Sequence, residues 1–172
     1  MARITVNESG TQPLLLLSMD VANATAGNLA NGNITLANSL SVTCLQDITI
    51  TSSTGIFSWT DFCSIDTNKI TTPADNEVST NIVIDPTGYF GANTAIQTAE
   101  DQGIGSLSQN KIPVQFKLVW NNDNANANVA NSYFTTGVGY ISSLAPTVSP
   151  EAPVWVTPMT IAVDGTMYNG IN

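Results

Sequence analysis

The stretch "YFTTGVGYISSLAPTVSPEAPVWVTPMTIAVDG", from Tyr133 to Gly165, decides the fold predicted for this chain of 172 residues. Each half alternates apolar and polar residues, which is the pattern of a half-buried β-strand. A proline-containing loop separates the halves, so the pattern predicts one long antiparallel β-hairpin over residues 133–165. Its tip carries no residue suited to catalysis, which raises the question of what so much strand surface is for.

The clearest alternation in the chain runs over residues 112–120. Apolar side chains occupy every second position there, and Gln115 and Lys117 fall between them. This pattern predicts an antiparallel strand with one buried face. We therefore expect Gln115 and Lys117 to face solvent.

Shorter patterns predict the remaining strands. Residues 47–60 are expected to form a hairpin that turns at 53–55, and residues 80–85 another strand. Between them, residues 61–77 are polar and acidic, and we expect a long loop there. Long loops in compact domains are usually functional or lie at interfaces.

One short helix is expected to flank these strands, capped by Asn93 and ended by Gly103 or Gly105. The fold class is therefore α+β and mainly antiparallel β, as a β-sandwich or a rolled barrel with one short flanking helix. A length of 172 residues fits a single domain over residues 1–172. Residues 1–40 carry no clear pattern and remain unassigned.

Composition excludes several classes of function. Charged residues are only 10% of the chain, and thirteen acidic against four basic residues give a net charge of -9. Electrostatic binding of nucleic acid needs clustered lysine and arginine, which is not present here. The apolar run in residues 13–19 is too short to span a membrane, so we expect no membrane association and synthesis in the cytoplasm.

The sequence also offers no catalytic set. Histidine is absent, so a Ser-His-Asp or Cys-His arrangement and a histidine metal site are impossible. The acidic pairs Asp61 with Asp66 and Glu100 with Asp101 are expected to be solvated surface charges rather than a glycosidase pair. We expect no enzyme activity, no cofactor and no metal.

The order of elements resembles a known family. The stretch "STNIVIDPTGYFGANTAIQTAEDQGIGSLSQNKIPVQFKLVWNN", residues 79–122, gives a strand, a helix, a glycine-containing break and a strand, and the long hairpin follows. This order is similar to that of the major tail tube protein of long-tailed bacteriophages. The hairpin positions that match the family pattern are Phe134, Gly137 or Gly139, Ile141, Ser143, Pro146, Ser149, Met159, Ile161, Val163 and Gly165.

The resemblance implies a structural protein of the virion tail. Such proteins form hexameric rings that stack into a tube, through which DNA passes without specific binding. The implied partners are further copies of the chain and other tail proteins, namely the tape measure, the baseplate or tip, and the terminator. A long hairpin would then pair with a neighbouring copy, so that its edges are covered in the ring.

Two sets of acidic residues follow from this interpretation as site candidates. A negative wall repels phosphate, and Asp47, Asp85 and Asp164 are candidates to face the lumen, although they could equally be ordinary solvent-facing acids. The loop 61–77 is the candidate contact between stacked rings. Its acidic residues are Asp61, Asp66, Asp75 and Glu77.

Two other interpretations fit the same composition. A capsid decoration protein or a component of the head–tail connector would share the strand-rich, weakly charged sequence without catalytic residues. A β-sandwich that binds a carbohydrate or a receptor could use the asparagine, aspartate and tryptophan side chains.

Overall fold

The computed structural model describes residues 12–34, 39–42, 45–60, 67–92, 98–122, 132–147 and 155–171. Its strands are β1 Gln12–Ser18, β2 Ser39–Val42, β3 Leu45–Trp59, β4 Asn68–Val83, β5 Val114–Asn122, β6 Tyr133–Leu144, β7 Val156–Val163 and β8 Tyr168–Ile171. Its helices are α1 Ala26–Ala30, α2 Pro86–Phe90 and α3 Ala99–Gln109, and a 3₁₀ turn covers Val21–Asn23. The predicted class, mainly antiparallel β, is confirmed. The expectation of one flanking helix is wrong, since the described part of the chain holds three α-helices.

The strands form a single antiparallel sheet in the order β2-β1-β5-β6-β7-β4-β3. β6 and β7, the two strands of the sequence 133–165, pair from Gly139 with Val163 to Leu144 with Met159. β8 then continues the line of β7 along the same edge of β6. The sheet is rolled, so that β1 lies close to β3. Side chains of β2 and β4 pack together in the core that the rolled sheet encloses.

The strand β3 runs without a turn through residues 53–55, contrary to the sequence prediction. β4 explains this difference, because it pairs with β3 along almost its whole length, including Ser53 with Asp75 and Thr54 with Ala74. The predicted loop 61–77 is therefore wrong over residues 68–77, which are strand. Pro73 lies at an irregularity of this ladder, where a proline does not remove a needed donor.

A short segment, which we call the strap (residues 21–34), covers the outer face of β5 and β6. The side-chain amide of Gln115 donates to the carbonyl of Asn33 at 2.7 Å, and the Thr136 hydroxyl donates to the carbonyl of Leu29 at 3.0 Å. Gln115 and Lys117 are buried, so the expectation that they face solvent is wrong. The alternating pattern of β5 hid this second covered face because the residues on it are polar.

Lys117 is fully buried under the strap, with its Nζ 5.0 Å from the centre of the Phe134 ring. Burial disfavours the charged ammonium and lowers the pKa of Lys117 to about 8. The Phe134 ring in turn packs closely against Gly32 and Gly170, where a side chain would overlap it. Strap, β6 and β8 are thus held together around one aromatic ring.

The helix α3 begins at Ala99, later than the sequence predicted, since the expected helix was capped by Asn93. Thr98 caps it in a reciprocal capping box with Asp101, and Asn93 lies outside the described residues. Gly103 does not end the helix but kinks it, with φ at 70°. The backbones of Tyr89 and Gly91 approach Gly103 too closely for a side chain, so the kink lets α2 pack against α3.

Candidate assembly surface

The outer halves of β3 and β4 form a two-stranded ribbon that leaves the rest of the sheet. β4 pairs with β7 only from Asn76 to Val83, whereas its pairing with β3 continues down to Asn68. We call this ribbon the assembly arm (residues 51–59 and 68–75). Nearly all its side chains are exposed, in contrast to the alternation of buried and exposed residues farther along β4.

The arm carries large apolar side chains in solvent. Phe57 lies opposite Ile70 in the ladder, so these two side chains share one face of the ribbon. Trp59 lies on the same face, and its ring stacks on Phe57 with 5.9 Å between ring centres. We call Phe57, Trp59 and Ile70 the aromatic knob; their exposed fractions are 59%, 42% and 56%. Ile56 is exposed on the opposite face, where it pairs with Thr71.

The arm also leaves strand edges open. β3 ends the order of the sheet, and no described ladder covers its outer edge. The outer edge of β4 is likewise free over residues 68–75 among the described strands, because β7 stops at its pairing with Asn76. Open edges of this length are templates for pairing with another chain.

The acidic residues predicted to join rings are only partly placed. Asp75 and Glu77 lie on β4 at the base of the arm, where they pair with Ser53 and Thr51 and are exposed. Asp61 and Asp66 lie outside the described residues. The first pair therefore belongs to a strand wall and not to a loop.

The three residues predicted to face a lumen are exposed but do not come together. Asp47 lies at an irregularity of β3 with φ at 51°, and the Asn81 side chain donates to its carboxylate at 3.3 Å. Asp85 caps α2 by accepting from the Gly88 backbone at 2.9 Å. Asp164 follows β7 at the other end of the β4–β7 ladder. That they face a lumen remains a prediction.

A cavity of about 250 Å³ lies at the end of β4 farthest from the arm. We call it the β2–α2 cavity. Its apolar wall consists of Leu40, Val42, Ile82 and Ile104, and Tyr89 adds an aromatic side. Two exposed acids, Asp85 and Glu100, also line it. Sequence reasoning missed the cavity because it arises from strands and helices distant in the chain. It missed the arm because residues 68–75 show no apolar alternation and were predicted to be a loop.

The described residues hold no group of three histidine, cysteine, aspartate or glutamate side chains that could bind a metal ion. None of the described helices is long and apolar enough to cross a membrane.

The fold is similar to solved tail structures. A chain in the virion of the native gene transfer agent (GTA) particle has a TM-score of 0.52 at 11% identity, covering 91% of this chain and 95% of that one. A chain in the tail of the empty GTA particle, solved with C6 symmetry, gives 0.51 at 10% identity, covering 92% and 95%. A chain of the SPP1 tail tube has a TM-score of 0.48 at 16% identity, covering 98% of this chain and 81% of that one.

No family model matches the chain, and no curated protein matches it in sequence. Identities near 10% establish a shared fold and nothing finer. At that level, the predicted resemblance to a tail protein is confirmed as a shared fold. The chain shares its fold with one chain in the GTA virion and one chain in the GTA tail.

Proposed function

We propose that this protein assembles into stacked hexameric rings that form the tube of a virion tail, through which DNA is delivered. The assembly arm carries the proposal: its apolar residues and open strand edges have no partner in the described monomer. The shared fold with a tail that has C6 symmetry supports a ring of six. The function is structural, with no catalysis.

Ring closure follows from the direction of the strands. Rotation about the axis of a ring leaves every copy pointing the same way, and β3 and β4 run antiparallel within each copy. The open edge of β3 in one copy therefore meets the open edge of β4 in the next with antiparallel direction. Repeated around the ring, this pairing covers the open edges at the base of the arm and leaves its outer part to reach beyond the ring.

We assign the contact between rings to the outer part of the arm and its connection. Asp61 and Asp66 belong to this region by sequence, and Asp75 and Glu77 mark the base of the arm. The other proposed partners are the tape measure, the baseplate or tip, and the terminator, which would meet the first or last ring.

The excess of acids suits a conduit. With a net charge of -9, the wall repels phosphate, so DNA slides along it without binding. Asp47, Asp85 and Asp164 remain our candidates for lumen-facing acids. They lie at separate positions on the fold, at an irregularity of β3, at the cap of α2 and after β7, which spreads negative charge over a wall instead of concentrating it in one site.

Removal of the arm tests the proposal. A variant in which residues 55–71 are replaced by an Asn-Gly turn should keep the folded body, because the core lies elsewhere. The intact protein should form rings or tubes in negative-stain electron microscopy, and the variant should sediment as a folded monomer. Normal tubes from the variant would refute the role of the arm.

The same measurements separate the other interpretations. Trimers or monomers of the intact protein, at concentrations at which tail proteins polymerise, would contradict a tube. A monomer that binds glycans on an array would instead support a carbohydrate-binding function.

A further inference from the structure

The aromatic knob and the β2–α2 cavity are complementary in size. Phe57, Trp59 and Ile70 project from a ribbon only two strands wide, so the knob can enter a recess. An engineered apolar cavity of about 150 Å³ holds benzene. A cavity of about 250 Å³ has room for a larger ring such as the Trp59 indole. Leu40, Ile82 and Tyr89 in its wall offer apolar and aromatic contacts.

Charge is complementary as well. Lys69 lies on the arm directly opposite Ser58 and next to Ile70 in the chain, on the ribbon face opposite the knob, and its side chain is exposed. Asp85 and Glu100 line the cavity. The whole sequence holds only four basic residues against thirteen acidic ones. The outer edge of β4 is free here, so the long side chain of this lysine can bend around the narrow ribbon to the rim of a cavity that the knob enters, where the two carboxylates would attract it.

The knob cannot reach the cavity of its own molecule. Both features contain residues of β4, the knob at Ile70 and the cavity at Ile82. Twelve residues of strand place them about 40 Å apart at roughly 3.3 Å per residue. The ladders with β3 and β7 hold β4 extended, so contact requires two molecules.

We propose that the aromatic knob of one copy inserts into the β2–α2 cavity of a second copy, with Lys69 facing Asp85 and Glu100. This rests on the self-assembly proposed above and adds the two surfaces that meet. Knob and cavity are different surfaces of one molecule, so the contact is heterologous and passes from copy to copy. Every copy then covers one knob and fills one cavity.

Site-directed cross-linking between two populations tests the contact. Both populations carry Cys44→Ser and Cys63→Ser. One population also carries Asn68→Cys, which lies opposite Trp59 on the arm, and the other population carries Thr87→Cys at the cavity. After mixing and assembly, a short bis-maleimide should give a covalent dimer that needs both cysteines. Thr51→Cys, at the base of the arm, replaces Asn68→Cys in the control and should give at least about tenfold less product.

Charge reversal provides a second, independent test. Lys69→Glu should raise the critical concentration for assembly about threefold, as expected for loss of an exposed ion pair. Glu100→Lys should do the same alone, and the double variant should assemble close to the wild-type concentration. Lys111→Glu is the matched control, a charge reversal just after α3. Adding Lys111→Glu to Glu100→Lys should not restore the critical concentration to the wild-type value.

Truncation of the knob completes the design. Trp59→Ala should raise the critical concentration at least about tenfold, whereas Ile56→Ala on the opposite face should change it less than about twofold. If wild-type protein forms tubes but gives no cross-link and no charge rescue, the knob-and-cavity contact is wrong and the proposed tube stands. If wild-type protein does not assemble at any concentration, both proposals fail.

Discussion

The assembly arm and the strap-covered strands belong to one antiparallel sheet, yet they differ in how many of their faces are covered. On β5 the strap encloses the face that holds Lys117, so both sides of the strand are buried. On the arm, Phe57 and Trp59 remain exposed, and no described element packs over them. The difference teaches that the body of the molecule is complete as a monomer, whereas the arm is not.

Truncation of one buried and one exposed phenylalanine tests whether the body and the arm contribute differently to the free energy of unfolding. Phe116→Ala removes a fully buried core ring and should lower the free energy of unfolding by about 3–5 kcal/mol. Phe57→Ala should change it by less than about 0.5 kcal/mol. Urea unfolding of protein diluted below its assembly concentration measures both. Equal losses would show that the arm belongs to the folding core.

The buried lysine predicts a pH dependence that is confined to the body. The pKa of Lys117 is about 8 in the folded protein and near 10.5 when unfolded, so between these values the unfolded state binds more protons. The free energy of unfolding should therefore rise with pH across this window, by about 3 kcal/mol at most. Below pH 8 the full cost of the buried charge is present.

Lys117→Met isolates this effect. The wild-type protein should gain stability relative to the variant as pH rises from 8 to 10.5, in chemical unfolding of unassembled protein. Lys111→Met removes an exposed lysine and serves as the control, which should leave the slope unchanged. A wild-type slope equal to that of Lys117→Met would show that Lys117 is not desolvated in solution.

The kink in α3 predicts a smaller loss of stability than the truncation of Phe116. Gly103→Ala places a side chain at φ 70° against the backbones of Tyr89 and Gly91, and should cost about 1–2 kcal/mol or more. Gly27→Ala in α1 meets no atom within 4 Å and should stabilise by about 0.5–1 kcal/mol. Thermal unfolding of both variants checks the opposite signs. A neutral Gly103→Ala would mean that the kink is not enforced.

Strand content could be predicted from the sequence because alternation records which face of a strand is buried. The core positions of β5 and of β7 follow from it directly. Alternation failed for Lys117, since a polar residue signals solvent unless another segment covers it. It also failed for residues 68–77, where threonine and acidic residues in an exposed ribbon gave no apolar period.

The candidate assembly surface could be predicted from the sequence only in part, for a related reason. The self-assembly interpretation came from an excess of strand edge, and the exposed apolar residues of the arm agree with it. The acids chosen for the lumen and for ring contacts were selected by charge alone, and the structure scatters them. The β2–α2 cavity was invisible because β2, β4, α2 and α3 meet only after the sheet has rolled.

The smallest expected effect concerns the N-terminal cap of α3, which belongs to the body and supports the proposed contact with the arm of another copy. Thr98 accepts from the Asp101 backbone at 3.1 Å and so holds the first turn of α3, which supplies Glu100 to the cavity. Thr98→Ala should cost about 1 kcal/mol of stability. Thr25→Ala, which removes the longer cap bond of α1 at 3.4 Å, should cost less. If the cavity receives the knob, Thr98→Ala should also raise the critical concentration for assembly while Thr25→Ala does not, and sedimentation of both variants decides. Equal effects of the two variants on assembly would mean that α3 supports the fold but not the contact between copies.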